Sequence, residues 1–221
     1  MSETIAGVTI PDTKLVAEAT ELVRDATSPL LFNHSRRVYL FGMLQGQQRG
    51  LVPDPELLYV GAMFHDLGLT EQYRRTDQRF EVDGANEAAR FLVSHGLPDD
   101  AVRRVWTSIA LHTTPGIPEF MEPEVALVAA GVETDVLGIG YHDLQQSVID
   151  AVIDVHPRPG FKRQILAAFT EGFKDRPGTT FGTVNADVLS HFLPGFVRHR
   201  IERLVGVRIP CLVRMSQFVN G

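Results

Sequence analysis

Helical periodicity is the sequence feature that most limits what this chain can fold into. Apolar residues recur three and four positions apart through most of it, as in Leu15, Ala19 and Leu22, and this spacing places them on one face of a helix. Few runs alternate with a period of two, and the stretch 205–213 is the one strand-like segment. The pattern therefore predicts an all-α fold, a single compact helical domain.

Capping residues, prolines and glycines predict where the helices begin and end. Asp12 is the expected cap of the first helix, and Asp83 is the expected cap of a helix that stops at Gly96. Pro98, Pro123 and Pro194 each open a further helix. The other predicted helices cover residues 30–48, 56–67, 143–155, 161–173 and 185–192.

Length and charge restrict the class of protein. The 221 residues suit one domain over 1–221. With 21 Lys and Arg against 27 Asp and Glu, the net charge of −6 argues against a nucleic acid or an anionic membrane surface as partner. The single cysteine excludes an internal disulfide. No signal peptide is recognised at the start, and the longest apolar run, 125–132, is far below the roughly 20 residues of a membrane span. We expect a cytoplasmic protein that acts on a small molecule.

Histidine and aspartate side chains stand at the ends of several apolar stripes. His65 and Asp66 are adjacent after an apolar run, His34 lies on the apolar face of the second helix, and His112 and Asp135 end the fifth and sixth. Such groups are rarely buried unless they are paired or bind a metal. Two imidazoles and two carboxylates suit zinc, iron or manganese, and such an ion lowers the pKa of a bound water.

The residues around these positions resemble a known family. The order His34, His65-Asp66, Asp135 is similar to the signature of the HD-domain superfamily of metal-dependent hydrolases. The flanking sequences resemble its cyanamide hydratase branch, and the likeness covers about residues 10–140. The segments that carry it are IPDTKL (10–15), FNHSRRVY (32–39), FHDLGLT (64–70) and RFEVDGA (79–85).

This resemblance implies an HD-type helical fold with one divalent metal, zinc or else iron or manganese. The ligands it implies are His34, His65, Asp66 and Asp135, with Asp66 also counted as catalytic. It implies a hydratase in which a metal-bound hydroxide attacks the carbon of cyanamide, or of a related nitrile-like molecule, and yields urea. We expect His112 to supply the proton that the substrate nitrogen needs, and Asn33 and Thr70 to bind the substrate.

Two other functions stay open. A phosphohydrolase acting on a nucleotide or another phosphomonoester needs cations near the metal, and Arg36, Arg37, Arg74 and Arg75 are the available residues, although a solvated helix face and loop is the simpler interpretation of them. A non-catalytic domain with a structural metal or none is the third interpretation. The apolar tail 205–221 predicts packing on the body of the protein or on a second copy in a homodimer.

Overall fold

The computed structural model describes residues 3–198, and helices dominate this part of the chain. The predicted all-α class is confirmed. The one sheet among the described residues is an antiparallel hairpin of β1 (Thr4–Ile5) and β2 (Val8–Thr9), which the sequence analysis did not predict. The helices are α1 (Lys14–Ala26), α2 (Pro29–Arg49), α3 (Pro55–Phe64), α4 (Phe80–Ser94), α5 (Asp99–Leu111), α6 (Pro123–Leu137), α7 (Gln146–Val155), α8 (Phe161–Phe173) and α9 (Asn185–Phe192).

Local capping explains most helix starts. The Ser28 and Asp54 side chains accept backbone hydrogen bonds at the starts of α2 and α3, each of which has proline in its first turn. The cap predicted at Asp12 is wrong, because the Thr13 side chain accepts from the Val16 amide. The cap predicted at Asp83 is also wrong, because this residue lies inside α4, where it is buried and accepts from Arg176.

The second half of the chain differs from its predictions in two places. Residues 143–145 precede α7 instead of belonging to it. The helix predicted to start at Pro194 is wrong over 194–198, which are not helical. The rest of that helix, the strand-like stretch 205–213 and the tail 205–221 lie outside the described residues.

One large apolar cluster joins α1 to α5 with α6 and α7, and it sets the relative positions of α2, α3 and α6. The closest approach is that of α2 and α6, where a Cβ at Gly131 would lie 2.2 Å from the Val38 carbonyl oxygen. Only a glycine permits this separation. It brings the face of α2 that carries His34 against the end of α6 that carries Asp135.

A second apolar cluster joins α8 and α9 to the rest of the protein. It contains Leu31 of α2, Leu69 and Phe80 together with residues of α8 and α9. The short 3-10 helix Leu67–Leu69 follows Asp66 directly. A Cβ at Gly68 would lie 2.1 Å from the Phe80 carbonyl oxygen, so this turn is held tightly against the start of α4. The second cluster therefore covers the side of the molecule on which the HD dipeptide lies.

Candidate metal centre

Three histidines form an arc in the interior between α2, α3 and α5. The ring centroids of His34 and His65 are 5.0 Å apart, and those of His65 and His112 are 4.8 Å apart. His34 and His65 are fully buried and His112 is 4% exposed. Helix ends account for two of them, because His65 and His112 are the C-cap residues of α3 and α5.

Hydrogen bonds at Nδ1 fix the tautomer of each ring. His65 Nδ1 donates to the Ala62 carbonyl oxygen at 2.7 Å, and His112 Nδ1 donates to the Ile109 carbonyl oxygen at 2.6 Å. His34 Nδ1 donates to Asp135 Oδ2 at 2.6 Å. A carbonyl or carboxylate oxygen can only accept, so the proton of each neutral ring lies on Nδ1 and the lone pair lies on Nε2.

The three Nε2 atoms converge on the carboxylate of Asp66. Its Oδ2 lies 3.3 Å from Nε2 of His65 and 3.6 Å from Nε2 of His34. Its Oδ1 lies 3.8 Å from Nε2 of His112. Within the described residues, both oxygens of Asp66 and Nε2 of His112 are buried without any hydrogen-bond partner. Five lone-pair atoms thus face one another in the interior, which is unfavourable unless a positive charge lies among them.

Electrostatics around the arc favour that positive charge. Burial alone would raise the pKa of Asp66, but the neighbouring imidazoles lower it to about 2, so the group is a carboxylate at neutral pH. Burial opposes protonation of His65, yet the Asp66 carboxylate outweighs it and raises the pKa of this ring. Burial lowers the pKa of His34, with Asp135 partly offsetting it. Burial and the nearby His65 lower the pKa of His112 to about 4, which keeps that ring neutral.

The donor set fits a divalent cation. Ligand atoms about 2.0–2.2 Å from one tetrahedral ion lie about 3.4 Å from each other. Nε2 of His34 and Nε2 of His65 are 3.2 Å apart, and Oδ2 of Asp66 lies 3.6 Å and 3.3 Å from them. Across residues 3–198, these three are the one group of histidine, cysteine or acidic side chains that meets the geometric requirements for holding a metal ion.

Asp135 lies behind His34 and has several hydrogen-bond donors. Arg37 binds it with two hydrogen bonds, from Nε to Oδ1 at 2.8 Å and from Nη2 to Oδ2 at 2.9 Å. Although burial acts the other way, the hydrogen bonds from His34 and Arg37 hold the pKa of Asp135 far below its usual range. The structure therefore brings Asp135 to the site through His34 Nδ1. Its predicted role as a direct metal ligand stays a prediction.

The predicted substrate-binding residues make other contacts. The Asn33 side-chain oxygen lies 3.4 Å from Nδ1 of His156, and the Thr70 hydroxyl donates to the Leu67 carbonyl oxygen at 2.8 Å. Both residues are partly buried and adjoin the arc in sequence, but neither contacts an atom of the three histidines or Asp66 through a hydrogen bond in the described structure. Their role in binding substrate stays a prediction.

The comparisons with known proteins agree with this geometry. The family model described as HD domain matches residues 31–153. The chain belongs to the HD domain family. The match spans more than half of the chain and contains His34, His65, Asp66, His112 and Asp135. HD domains are typically metal-dependent hydrolases that bind a divalent metal. No curated protein matches the sequence at a significant level. None of the described helices of this HD domain is long and apolar enough to cross a membrane.

Sequence reasoning missed the residues that support the site from outside. The solvated helix face that is the simpler interpretation of Arg36 and Arg37 is wrong. Arg37 is fully buried against Asp135, and Arg36 is 6% exposed. Phe161 lies against His34 and Phe80 against His112, with ring centroids 5.4 and 5.5 Å apart. Neither phenylalanine has a sequence signal that distinguishes it from an ordinary core residue.

Proposed function

We propose that this HD domain is a metal-dependent hydratase that adds water to cyanamide, giving urea, or to a related small nitrile-like substrate. The observation that carries the proposal is the group of lone pairs at Asp66, His34 and His65, enclosed in an interior with apolar rings on both sides. A small, linear, uncharged substrate suits such a site, because it brings in no charge that would need solvent or a counter-ion.

His34, His65 and Asp66 would hold the cation, and zinc, iron or manganese all suit this nitrogen and oxygen set. When bound, the ion would supply Lewis acidity and lower the pKa of a water molecule toward neutrality. Asp135 orients His34 by accepting its Nδ1 proton, which leaves Nε2 free to face the ion. Asp66 and Asp135 carry two negative charges and Arg37 one positive charge, so these three buried groups have a negative net charge, which favours a cation at the site.

His112 is suited to move the proton that the reaction requires. Water adds its oxygen to the cyano carbon, and the nitrogen of the broken π bond must gain a proton. Nε2 of His112 is a lone pair without a partner among residues 3–198, and it lies beside Oδ1 of Asp66. We propose that Nε2 first accepts a proton from water and then donates it to the substrate nitrogen, so that the ring ends neutral as it began.

The surroundings support a phosphomonoester less well. Arg37 already donates hydrogen bonds to Asp135 and to two backbone carbonyl oxygens. Arg36 binds Glu3, Tyr59 and His156, and Arg74 binds the Glu171 carbonyl oxygen. Arg75 is exposed on the loop after the HD turn. A phosphate at the arc would need at least one of these groups to change partners.

Several other expectations remain proposals. We propose that residues 1–221 form a single domain, that the protein is cytoplasmic, and that neither nucleic acid nor a membrane is its partner. A homodimer through the apolar tail 205–221 is proposed on the sequence alone, because that tail lies outside the described residues.

Purified protein tests the proposed function. Elemental analysis should find about one equivalent of divalent metal, and cyanamide should be converted to urea in a reaction that a chelator abolishes. A panel of small nitriles and nucleoside monophosphates should be run in parallel. Phosphate release without urea formation would replace the hydratase by a phosphohydrolase, and a folded protein that takes up no metal would refute both.

A further inference from the structure

A proline-rich segment beyond the matched residues wraps the outer side of the metal centre. It runs from residue 156 to residue 161, between α7 and the start of α8. Its backbone meets Arg37, whose Nη1 donates to the carbonyl oxygens of His156 at 3.0 Å and Pro157 at 3.2 Å. The same guanidinium holds both oxygens of Asp135. This segment is therefore one contact removed from the carboxylate that orients His34.

Arg158 reaches Asp135 from the other direction. Its Nη2 donates to the Asp135 backbone carbonyl at 2.6 Å, and its Nη1 donates to the Tyr141 hydroxyl at 2.8 Å. Its Nε lies 3.8 Å from Asp135 Oδ1. Two arginines that are far apart in the sequence thus fix the backbone and the side chain of one aspartate. A guanidinium is a planar fork of N–H donors that can hold two acceptors at once, so an arginine fixes Asp135 more specifically than a lysine would.

Phe161 joins the two arginines to His34. Its ring lies 5.0 Å from the guanidinium carbon of Arg37 and 4.5 Å from that of Arg158, and it is 5% exposed. Both distances are those of a cation–π contact, which gains strength in a desolvated position. The same ring packs on His34. Movement of Phe161 would therefore disturb the imidazole and both of the groups that hold Asp135.

We propose that Arg158 and Phe161 are positioning residues of the metal centre, which keep Asp135 on Nδ1 of His34 so that Nε2 faces the ion. The inference rests on the metal site of the proposed function but not on its substrate. Partners of this kind, one contact removed from a metal, typically change metal affinity or activity by about 10–100-fold when they are mutated. Arg158 and Phe161 act through His34 and Asp135, so neither is assigned a contact with substrate.

Metal affinity of the folded protein is the decisive readout, measured by competition with a chromophoric chelator for Zn²⁺. Arg158→Met should weaken affinity by about 10–100-fold. Arg158→Lys keeps the positive charge but lacks the planar guanidinium fork that reaches both acceptors, so it should restore part of the affinity. Arg163→Met is the matched control, because Arg163 is an exposed arginine of α8; it should stay within about twofold of wild type.

Tyr141→Phe removes one acceptor of Arg158 while leaving the core intact. It should weaken Zn²⁺ affinity less than Arg158→Met does, and the double variant should be no weaker than Arg158→Met alone, since both changes act on one contact. Phe161→Leu keeps an apolar side chain but removes the cation–π contacts, and it should also weaken affinity. In metal-free wild type, nitrogen-15 NMR should show the Nδ1–H tautomer of His34, and Arg158→Met should show a mixture of tautomers.

A merely structural role predicts a different set of results. Arg158→Met and Arg158→Lys would then unfold at lower urea concentration, yet the folded fraction would bind Zn²⁺ as tightly as wild type and keep the His34 tautomer. That outcome would overturn the proposal. If Arg158→Met fails to fold, the Zn²⁺ affinity and the His34 tautomer of Arg158→Lys and Tyr141→Phe decide between the two roles. Wild type that binds no metal would refute the proposed function instead, and the tautomer measurement would still test the positioning of His34.

Discussion

Two buried aspartates of this HD domain have opposite surroundings. Asp66 is buried with no hydrogen-bond donor to either oxygen among the residues described. Asp135 is equally buried, but it accepts hydrogen bonds from Nε and Nη2 of Arg37 and from Nδ1 of His34. Asp66 faces three imidazole lone pairs, whereas Asp135 faces a guanidinium. The negative charge of Asp135 is therefore compensated within the protein. The negative charge of Asp66 is not, and a bound cation would compensate it.

This difference suggests that Asp66 serves mainly to bind the metal, whereas Asp135 also serves to stabilise the fold. A buried carboxylate without donors costs free energy that the protein alone does not recover. A carboxylate held by a buried arginine contributes to the fold and becomes costly only when one partner is removed. Substitution of Asp66 should therefore abolish metal binding, whereas substitution of Asp135 should mainly lower stability and only weaken metal binding.

Asp66→Asn should have the largest effect. The amide keeps the size of the side chain but removes the negative charge, so metal content should fall from about one equivalent to none and turnover by several orders of magnitude. Elemental analysis and urea formation measure the two losses. Asp143→Asn is the matched control, because Asp143 also follows a histidine, His142, but both side chains are solvent-exposed. An Asp66→Asn protein with full metal content would show that Asp66 does not bind the metal, and the contrast with Asp135 would be wrong.

His112→Ala should separate proton transfer from metal binding. Its Nε2 lies 3.8 Å from Oδ1 of Asp66. His112 does not belong to the group of three residues that fits a metal ion. Metal content should be retained while turnover falls by about 10²–10⁴-fold, the usual contribution of a proton-transfer group. Loss of the metal together with activity would show that His112 is a ligand and that the division of roles is wrong.

Asp135→Ala should lower stability and, because His34 loses the acceptor of its Nδ1 proton, also weaken metal affinity by about 10–100-fold without abolishing it. It leaves the fully buried Arg37 without its carboxylate, which should lower the free energy of unfolding by about 3–5 kcal/mol. Urea unfolding of the metal-free protein measures the change. The double variant Arg37→Met/Asp135→Leu should recover much of the loss, because no buried charge remains. If Asp135→Asn loses metal completely while its stability is unchanged, Asp135 is a direct ligand and the contrast with Asp66 disappears.

Metal addition should give the smallest of these effects and sharpen the contrast further. At a free Zn²⁺ concentration a hundredfold above the dissociation constant, wild type should gain about 2.7 kcal/mol of stability. Asp66→Asn should gain nothing, whereas Asp143→Asn should gain as much as wild type. Thermal unfolding with and without Zn²⁺ measures the gain. An equal gain in Asp66→Asn would place the cation elsewhere.

The sequence predicts the helices well where local signals act alone. Residues 161–173 and 185–192 were predicted with the bounds that the structure shows, and Pro123 opens α6 as expected. Asp83 misled the prediction of α4, because an aspartate near a helix start usually caps it, while here it binds Arg176 from outside the family match. Such a contact between distant residues has no local signal.

The candidate site divides in the same way. His34, His65 and Asp66 stand out because histidine and aspartate on an apolar stripe need a special explanation, and their convergence follows from helix packing. The two arginines that hold Asp135 could not be predicted as its partners. Arg37 resembles an ordinary surface arginine in sequence, and Arg158 lies 23 positions after Asp135 in a proline-rich turn with no metal-binding pattern. Long-range hydrogen bonds decide their roles, and periodicity carries no information about these.

A crystal structure of the protein grown with Mn²⁺ or Zn²⁺, with anomalous diffraction recorded at the metal edge, tests the central claim most directly. The account predicts one strong anomalous peak about 2.0–2.3 Å from Nε2 of His34, Nε2 of His65 and Oδ2 of Asp66. A fully occupied peak at any other site, with the Asp66 carboxylate still unligated, would contradict it.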